Sequence, residues 1–537
     1  MACFTYGEEA SYAHVLCTTS SDEDQLGAGA VVPVFDSDHT NVVFASNVSS
    51  DITYTADAGT FTFSRAGIYH VVLTLVASQV DDADGLHTTQ FKIDSTVVYS
   101  GLILVGEDEE PYESTHQRII SVEAGEVLHV ITGTGAHTGG IVKGTSIVIT
   151  EITSGVYSSY TVSTAGTNDT VAEFNPYATT FSGTGAGPAY GGAYKIASGI
   201  TADTADGEWT VPSAGKYLIM VNNVYKAGGA TNTNITMKLY EGTNVLHTSA
   251  VKLHSVLYSR ESTICVIEDL AAGEVLKVTW DLGGSTGQVR AANRGATFTI
   301  IKLQEGSAGP GSLAGGRGPG GYGDIYACVV NKVALAGTGA EINPFDEDTT
   351  AGGAGSADFD TRAINGITFS QSDGTFTVSE SGLYFVMHNS YTTTNGDSDV
   401  TFKILVNGVA QVTMDSVFID TLPDPMNNTN SGFLELQRDD VVTVTIDAAE
   451  SVVLTHQLGS IFTIFRYYGF FSSFDTTEAN GLISNDYTIN TFSQDNLSAQ
   501  YDRNIDQVPF KMGIRGPGTL RGRCTQPSVV KLGDKKN

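Results

Sequence analysis

Basic residues are scarce in this chain. Over 537 residues, 28 Lys and Arg stand against 59 Asp and Glu, a formal net charge of −31. So acidic a chain repels phosphate backbones, so nucleic-acid binding by its body is not expected. Solubility is the plain reading of the charge; basic partners or divalent cations are the chemistry it suits. Cysteine is scarce too, at five: Cys3, Cys17, Cys265, Cys328 and Cys524. The odd number, the wide spacing and the lack of any C-x-x-C argue against a zinc site or a disulfide framework. Buried or idle thiols are expected. Proline is low at 13, and the Ala, Leu, Glu and Lys runs of long helices are missing. No stretch approaches the roughly 20 apolar residues of a membrane span. Residues 1–10 hold Glu8 and Glu9 and show no basic region followed by an apolar run, so a secretory signal is not expected. The sequons at Asn47, Asn168, Asn234, Asn427 and Asn496 carry little meaning where Ser and Thr are so common.

Catalytic signatures are missing as well. No H-E-x-x-H, G-x-S-x-G, P-loop or post-strand G-x-G-x-x-G occurs. The 11 His are scattered; His70 and His388 fall on the same repeated segment but at different offsets from its Gly. No enzyme, catalytic residue or cofactor is expected. Oxygen-rich loops could hold calcium: Asp81, Asp82 and Asp84; Glu107, Asp108, Glu109 and Glu110; Asp346, Glu347 and Asp348. None has EF-hand spacing and they fall at different places in the repeats described next, so solvated loops are preferred.

What is present is a repeat. GTFTFSRAGIYHVVLTLVA from Gly59, GEWTVPSAGKYLIMVNNVYK from Gly207 and GTFTVSESGLYFVMHNSYTT from Gly374 correspond. Three further blocks follow in the same order: FKIDSTVVYSG, MKLYEGTNVLHTS and FKILVNGVAQVT; VEAGEVLHVIT, LAAGEVLKVTW and LQRDDVVTVTI; TSIVITEI, ATFTIIKL and SIFTIFRY. Period-two alternation marks half-buried strands, and the apolar run that follows marks a central one. With Gly at 60 and frequent Thr and Ser, the chain reads as short strands joined by turns. The Gly at 67, 215 and 382 is expected to permit positive φ between two strands. About eight to ten strands per copy give an all-β sandwich or jelly roll.

This order of blocks resembles the globular head of complement C-one-q and the related tumour necrosis factor superfamily. The third copy is nearest, through Gly374, Phe376, Gly382, Tyr384, Phe385, Asn407-Gly408, Leu436, Asp440, Val441, Ser460, Phe462 and Phe465. The second copy departs with Trp209 at the first aromatic, and the first has Asp94-Ser95 where the third has Asn407-Gly408. The resemblance implies jelly rolls and three-fold assembly. Phe61, Tyr69, Trp209, Tyr217, Phe376 and Tyr384 are the residues expected to hold the sandwiches and the three-fold contact.

The reading is therefore three tandem jelly-roll domains at 1–153, 154–305 and 324–468, a Gly-rich linker at 306–323 and an extended tail at 469–537. Three chains could stack three homotrimers, or one chain could close its own copies into a pseudo-trimer. Stacking needs a linker that climbs one domain, about 40 Å at about 3.3 Å per residue, or about 12 residues. The second linker is long enough. The first suffices only if residues around Tyr157 leave their strand. Homotrimers are preferred, as in fibre proteins of similar build. From Tyr501 the chain holds eight basic residues against three acidic ones, a net of +5, so residues 1–500 carry −36 of the total −31. Arg503, Lys511, Arg515, Arg521, Arg523 and Lys531 are candidates for docking onto an acidic partner. A virion structural protein (capsid decoration, cement, spike or fibre component) is the preferred function, with a major capsid or other virion protein as partner and a host glycan or receptor in addition. The alternative is a secreted or cell-surface binding module, adhesin- or lectin-like, for which paired cysteines and aromatic-rich loops are not evident.

Overall fold

The apolar run that follows the alternating segment becomes the longest strand of each copy: Gly67–Gln79, Gly215–Ala227 and Gly382–Thr394. We call these the central strands. The computed structural model describes residues 11–20, 31–39, 42–79, 85–105, 112–133, 139–162, 168–169, 173–178, 193–227, 233–253, 259–281, 289–290, 296–303, 321–331, 335–338, 342–346, 359–395, 398–419, 426–448, 453–456, 459–468, 511–514 and 520–523. Every regular element among these residues is a strand, and the chain is all-β.

Each copy forms two antiparallel sheets that face one another. In the first, the central strand pairs on one side with the axial strand Tyr112–Val122 and on the other with the last strand Ser146–Glu151, which pairs with the first strand Tyr12–Thr19. The same set recurs in the second copy: axial Ser259–Leu270, last Thr297–Lys302 and first Tyr157–Val162. In the third it is axial Met426–Leu436, last Ile461–Tyr468 and first Gly321–Asn331. Registers are identical: Gly67 faces Val122, Gly215 faces Leu270 and Gly382 faces Leu436. Positions in the three domains can therefore be equated residue by residue. Each second sheet is built on a hairpin, such as Gly85–Ile93 with Thr96–Val105.

Alternate residues of each central strand fill the sandwich. Tyr69, Val71 and Leu73 meet Phe61, Phe91 and Leu128 in the first domain, and Tyr384 and Val386 meet Phe345, Phe376 and Phe462 in the third. Trp209, Tyr217 and Phe298 lie in the second. Each large side chain fully withdrawn from water contributes on the order of 1.5–3 kcal/mol.

Of the glycines between the two strands, Gly215 has positive φ, at 150°, whereas Gly67 and Gly382 do not; Gly59, Gly207 and Gly374, which open the repeat, have φ of 60°, 64° and 59°. A Cβ at Gly207 would also lie 2.6 Å from Asn175 Nδ2, and one at Gly59 2.8 Å from the Asp36 nitrogen. Gly67 is small for another reason: a Cβ there would come within 2.9 Å of the Tyr69 ring.

The first and second domains are joined only by residues 152–156, because Tyr157–Val162 is a strand, hydrogen-bonded on both sides. The third domain begins at Gly321, inside the stretch read as linker, where Gly321 pairs with Tyr468. In the tail, Lys511–Ile514 and Leu520–Arg523 form a hairpin.

Candidate functional site

Because the central strands alternate, residues one step from the core positions point out of the sandwich. They are buried nonetheless. Val72, Met220 and Met387 occupy equivalent positions, and all three belong to one apolar cluster that also takes in Ile119, Ile267, Phe433, Tyr12 and Phe465 from the three domains. The three axial strands approach one another directly: Glu113 of the first accepts a hydrogen bond from the Thr429 backbone of the third at 3.1 Å. The domains thus pack around a common axis.

Each seam uses the same two surfaces. A sheet face of one domain, carrying its first, last and central strands, lies on the axial strand of another. The first domain lies on the third, the third on the second, and the second on the first, which closes a ring. At one equivalent position a side chain from the first strand meets an axial backbone nitrogen. Phe433 N donates to His14 Nδ1 at 3.4 Å, Ile119 N donates to Ser159 Oγ at 3.4 Å, and the Ile267 backbone hydrogen-bonds the Cys328 sulfur. Around these, the first-on-third seam holds Thr74 Oγ1 with Ser431 Oγ at 3.2 Å, Ser146 Oγ donating to Ser431 O at 3.2 Å, and Tyr467 OH donating to Ser11 O at 2.9 Å. The third-on-second seam holds Thr463 Oγ1 donating to Cys265 O at 2.7 Å and Tyr391 OH donating to Thr263 O at 2.9 Å. In the second-on-first seam Gln117 Nε2 donates to Met220 O at 3.1 Å. Gly144 and Gly459, equivalent corners, abut Met414 and the Thr248 carbonyl across their seams.

Burial sets the electrostatics. Desolvation pushes the Glu113 carboxyl up to about 8, against hydrogen bonds from Thr115 and Thr429 that favour its charged form. Glu268, on the third-on-second seam, is raised to about 7 by burial, with Arg362 pulling the other way. Arg362 also ties Asp360 at 2.8 Å and the Leu246 carbonyl across that seam. The His14 and His70 rings are lowered to about 4, and His116, His247 and His388 to about 3, each chiefly by burial. At the base of each sandwich an equivalent pair changes polarity between copies: Arg65 with Glu151, Lys302 Nζ with Ser213 Oγ at 2.9 Å, and Glu380 with Arg466.

The six aromatics singled out from sequence all lie inside their own sandwiches. Trp209 packs on Tyr160, Tyr177 and Phe298; Phe61 on Phe35 and Tyr54; Phe376 on Phe345, Phe369 and Phe462. The hydroxyls of Tyr69, Tyr217 and Tyr384 donate to the carbonyls of Arg65, Ser213 and Glu380, four residues back in each case. The inter-domain hydrogen bonds named above come from other residues of these sheets, while Trp209 and Tyr217 share the apolar cluster that reaches the other two domains. Among the described residues, Cys17, Cys265 and Cys328 are buried free thiols, and no group of three His, Cys, Asp or Glu is placed to hold a metal ion. Of the acidic clusters only Asp346 falls among the described residues. Arg503, Arg515 and Lys531 lie outside them; Lys511, Arg521 and Arg523 lie on the tail hairpin, Lys511 opposite Arg523. No protein-family model matches the chain, and no curated protein matches it.

Proposed function

We propose that the protein is a non-enzymatic structural component of a virion, a decoration, cement, spike or fibre protein. In this reading its unit is one chain, folded as a pseudo-trimer of jelly rolls akin to the complement C-one-q and tumour necrosis factor heads. The observation that carries the reading is the closed ring. The face by which such domains trimerise is covered, three times over, by another domain of the same chain. The five-residue link at 152–156 supports it further, since it is too short to climb a domain. A closed ring with an acidic body leaves the single basic tail as the means of attachment, and an acidic surface of a capsid or other virion protein is its partner.

Light scattering on the purified chain tests the ring: a one-chain mass from 1 to 100 µM is expected, and a three-chain mass would return the stacked homotrimer. The attachment is tested by a chain ending at Tyr468, which should lose binding to particles. Retention of full binding would remove the tail from the proposal.

A further inference from the structure

The three seams are equivalent in backbone and unequal in continuity. The first and second domains are joined by residues 152–156, and the second and third by 304–320. The first-on-third seam is spanned by no linker and closes the ring. It is held by Tyr12, Phe433 and Tyr467, whose rings lie 5.5–6.1 Å apart, and by a second apolar cluster in which Val76 and Val142 meet Phe402 and Met414. At the seam position described above, the other two seams carry Ser159 and Cys328, which do not gain a proton in acid. This one carries His14.

We propose, building on the one-chain ring, that the first-on-third seam is an acid-sensitive closure with His14 as its switch. The geometry makes the protonated ring incompatible with the closed seam. Nδ1 accepts the Phe433 N–H, so a proton there sets donor against donor. Nε2 is buried with no hydrogen-bond partner. Gly432 lies against the ring so closely that a Cβ there would sit 3.1 Å from Cε1. The groups around it supply no counter-charge. Asn47 is opposite it on the strand Val43–Val48, Val148 on the last strand, Phe433 on the axial strand and Val412 beyond. The carboxylate on this seam's axial strand, Glu435, is held outward by Asn47 Nδ2 at 3.1 Å. Glu151, at the end of the last strand, is paired with Arg65, and Glu113 is tied to Thr115 and Thr429. The neighbouring seam has no histidine at this position; its buried ring, His247, lies on the hairpin of the second domain and is held at about 3 by burial and by Arg362, with a bond to the Gly459 backbone pulling the other way.

Hydrogen exchange by mass spectrometry on the full chain decides this, with protection corrected for the intrinsic rate at each pH. Glu113, bonded to Thr429 of the axial strand, titrates over the same range with the opposite sign, so the exchange is read in a Glu113→Gln background. There a ring that titrates at about 4 when closed and at about 6.5 when open should cost segment 426–436 about 20-fold in protection between pH 7 and pH 5. Segment 259–270, its equivalent in the second domain, responds to Glu268 and His247 instead, and its change should be the same whichever residue stands at position 14. The variants His14→Ser and His14→Gln should abolish the loss in 426–436. A loss in 426–436 that is unchanged in both variants would overturn the proposal. Light scattering at pH 7 separates the two readings: a three-chain mass fails the ring itself, whereas a one-chain mass with no loss that depends on residue 14 fails only the switch.

Discussion

The seam that closes the ring and the seam between the second and third domains rest on the same strands in the same register, yet they are filled with opposite chemistry. The closing seam is aromatic and neutral, with Tyr12, His14, Phe433 and Tyr467. The other holds the buried Glu268 and the half-buried Arg362 and Asp360 charges beside two thiols, Cys265 and Cys328. Identical backbones with different side-chain sets mean that each domain fits its own neighbour and not a copy of itself. Gln117, Cys265 and Ser431 are equivalent on the axial strands, but a Gln in place of Ser431 would press its longer side chain on Thr74 and Ser146. Buried polar groups of this kind are tolerated only when satisfied, so they disfavour the wrong pairing more than they stabilise the right one.

The largest test of that asymmetry lies in the cores. Trp209 belongs to the apolar cluster that runs through the axis, whereas Phe61 and Phe376 belong to clusters confined to one domain. Trp209→Ala should cost about 3–5 kcal/mol, as should Phe61→Ala and Phe376→Ala. In differential scanning calorimetry the Trp209 variant should lower the whole-chain transition, and the two Phe variants should split off a transition of one domain. Identical traces would show that the clusters are not energetically distinct.

Across the seams the effects should be smaller. Thr463→Val leaves the buried Cys265 carbonyl without its partner and should cost about 1–3 kcal/mol. Tyr467→Phe removes the buried bond to Ser11 O, an acceptor that keeps the Glu151 backbone nitrogen at 2.9 Å, and should cost about 1 kcal/mol. Denaturant unfolding of both variants measures the difference, and the reverse ranking would place the tighter seam at the closure.

The pH dependence has two arms of opposite sign. Glu113 and Glu268 titrate higher in the folded chain than unfolded, so their protonated forms stabilise fully near pH 4 and this is lost as pH rises toward about 8. The buried histidines titrate lower when folded, so stability falls as pH drops below about 6.5. Melting temperature should therefore peak between about pH 4.5 and 6.5. Glu113→Gln, which keeps an acceptor for Thr115 and Thr429, should raise the melting temperature at pH 8 and leave it unchanged at pH 4.5. An equal effect at both pH values would assign the change to packing.

The sandwiches were legible because strand patterning is local: the alternation from Gly59, Gly207 and Gly374 and the fixed order of four blocks place nearly every strand. The axis was not legible. When a strand is buried on both faces it reads as one apolar run, and nothing in GIYHVVLTL says that Tyr69 turns to the core while Val72 turns to a neighbouring domain. The equivalent residues His14, Ser159 and Cys328 share no chemistry, so no repeat pattern marks them. The linker length was the one readable sign of closure, and it depended on knowing that Tyr157 stays in its strand. The tail is legible as charge alone.

The smallest expected effect returns to the turns, where one domain departs from the others. The turn that precedes each V-x-x-V strand uses Gly125 and Gly273 at φ of 92° and 85° in the first two domains, but Asp439 at 68° in the third. A side chain in left-handed backbone is strained unless something local offsets it. What Asp439 gains there is a bond from its backbone nitrogen to the Val378 carbonyl at 2.9 Å, one that Gly125 and Gly273 also make, to Phe63 O and Val211 O. That bond needs no side chain, so Asp439→Gly should keep it and relieve the strain, stabilising the third domain by about 0.5–1 kcal/mol. The converse change, Gly125→Asp, should destabilise the first domain by a similar amount, since a Cβ there meets open space and the backbone alone is strained. Chemical denaturation of both variants checks the pair. If Asp439→Gly destabilises instead, the carboxylate contributes to this turn in a way the two glycine-bearing domains do without.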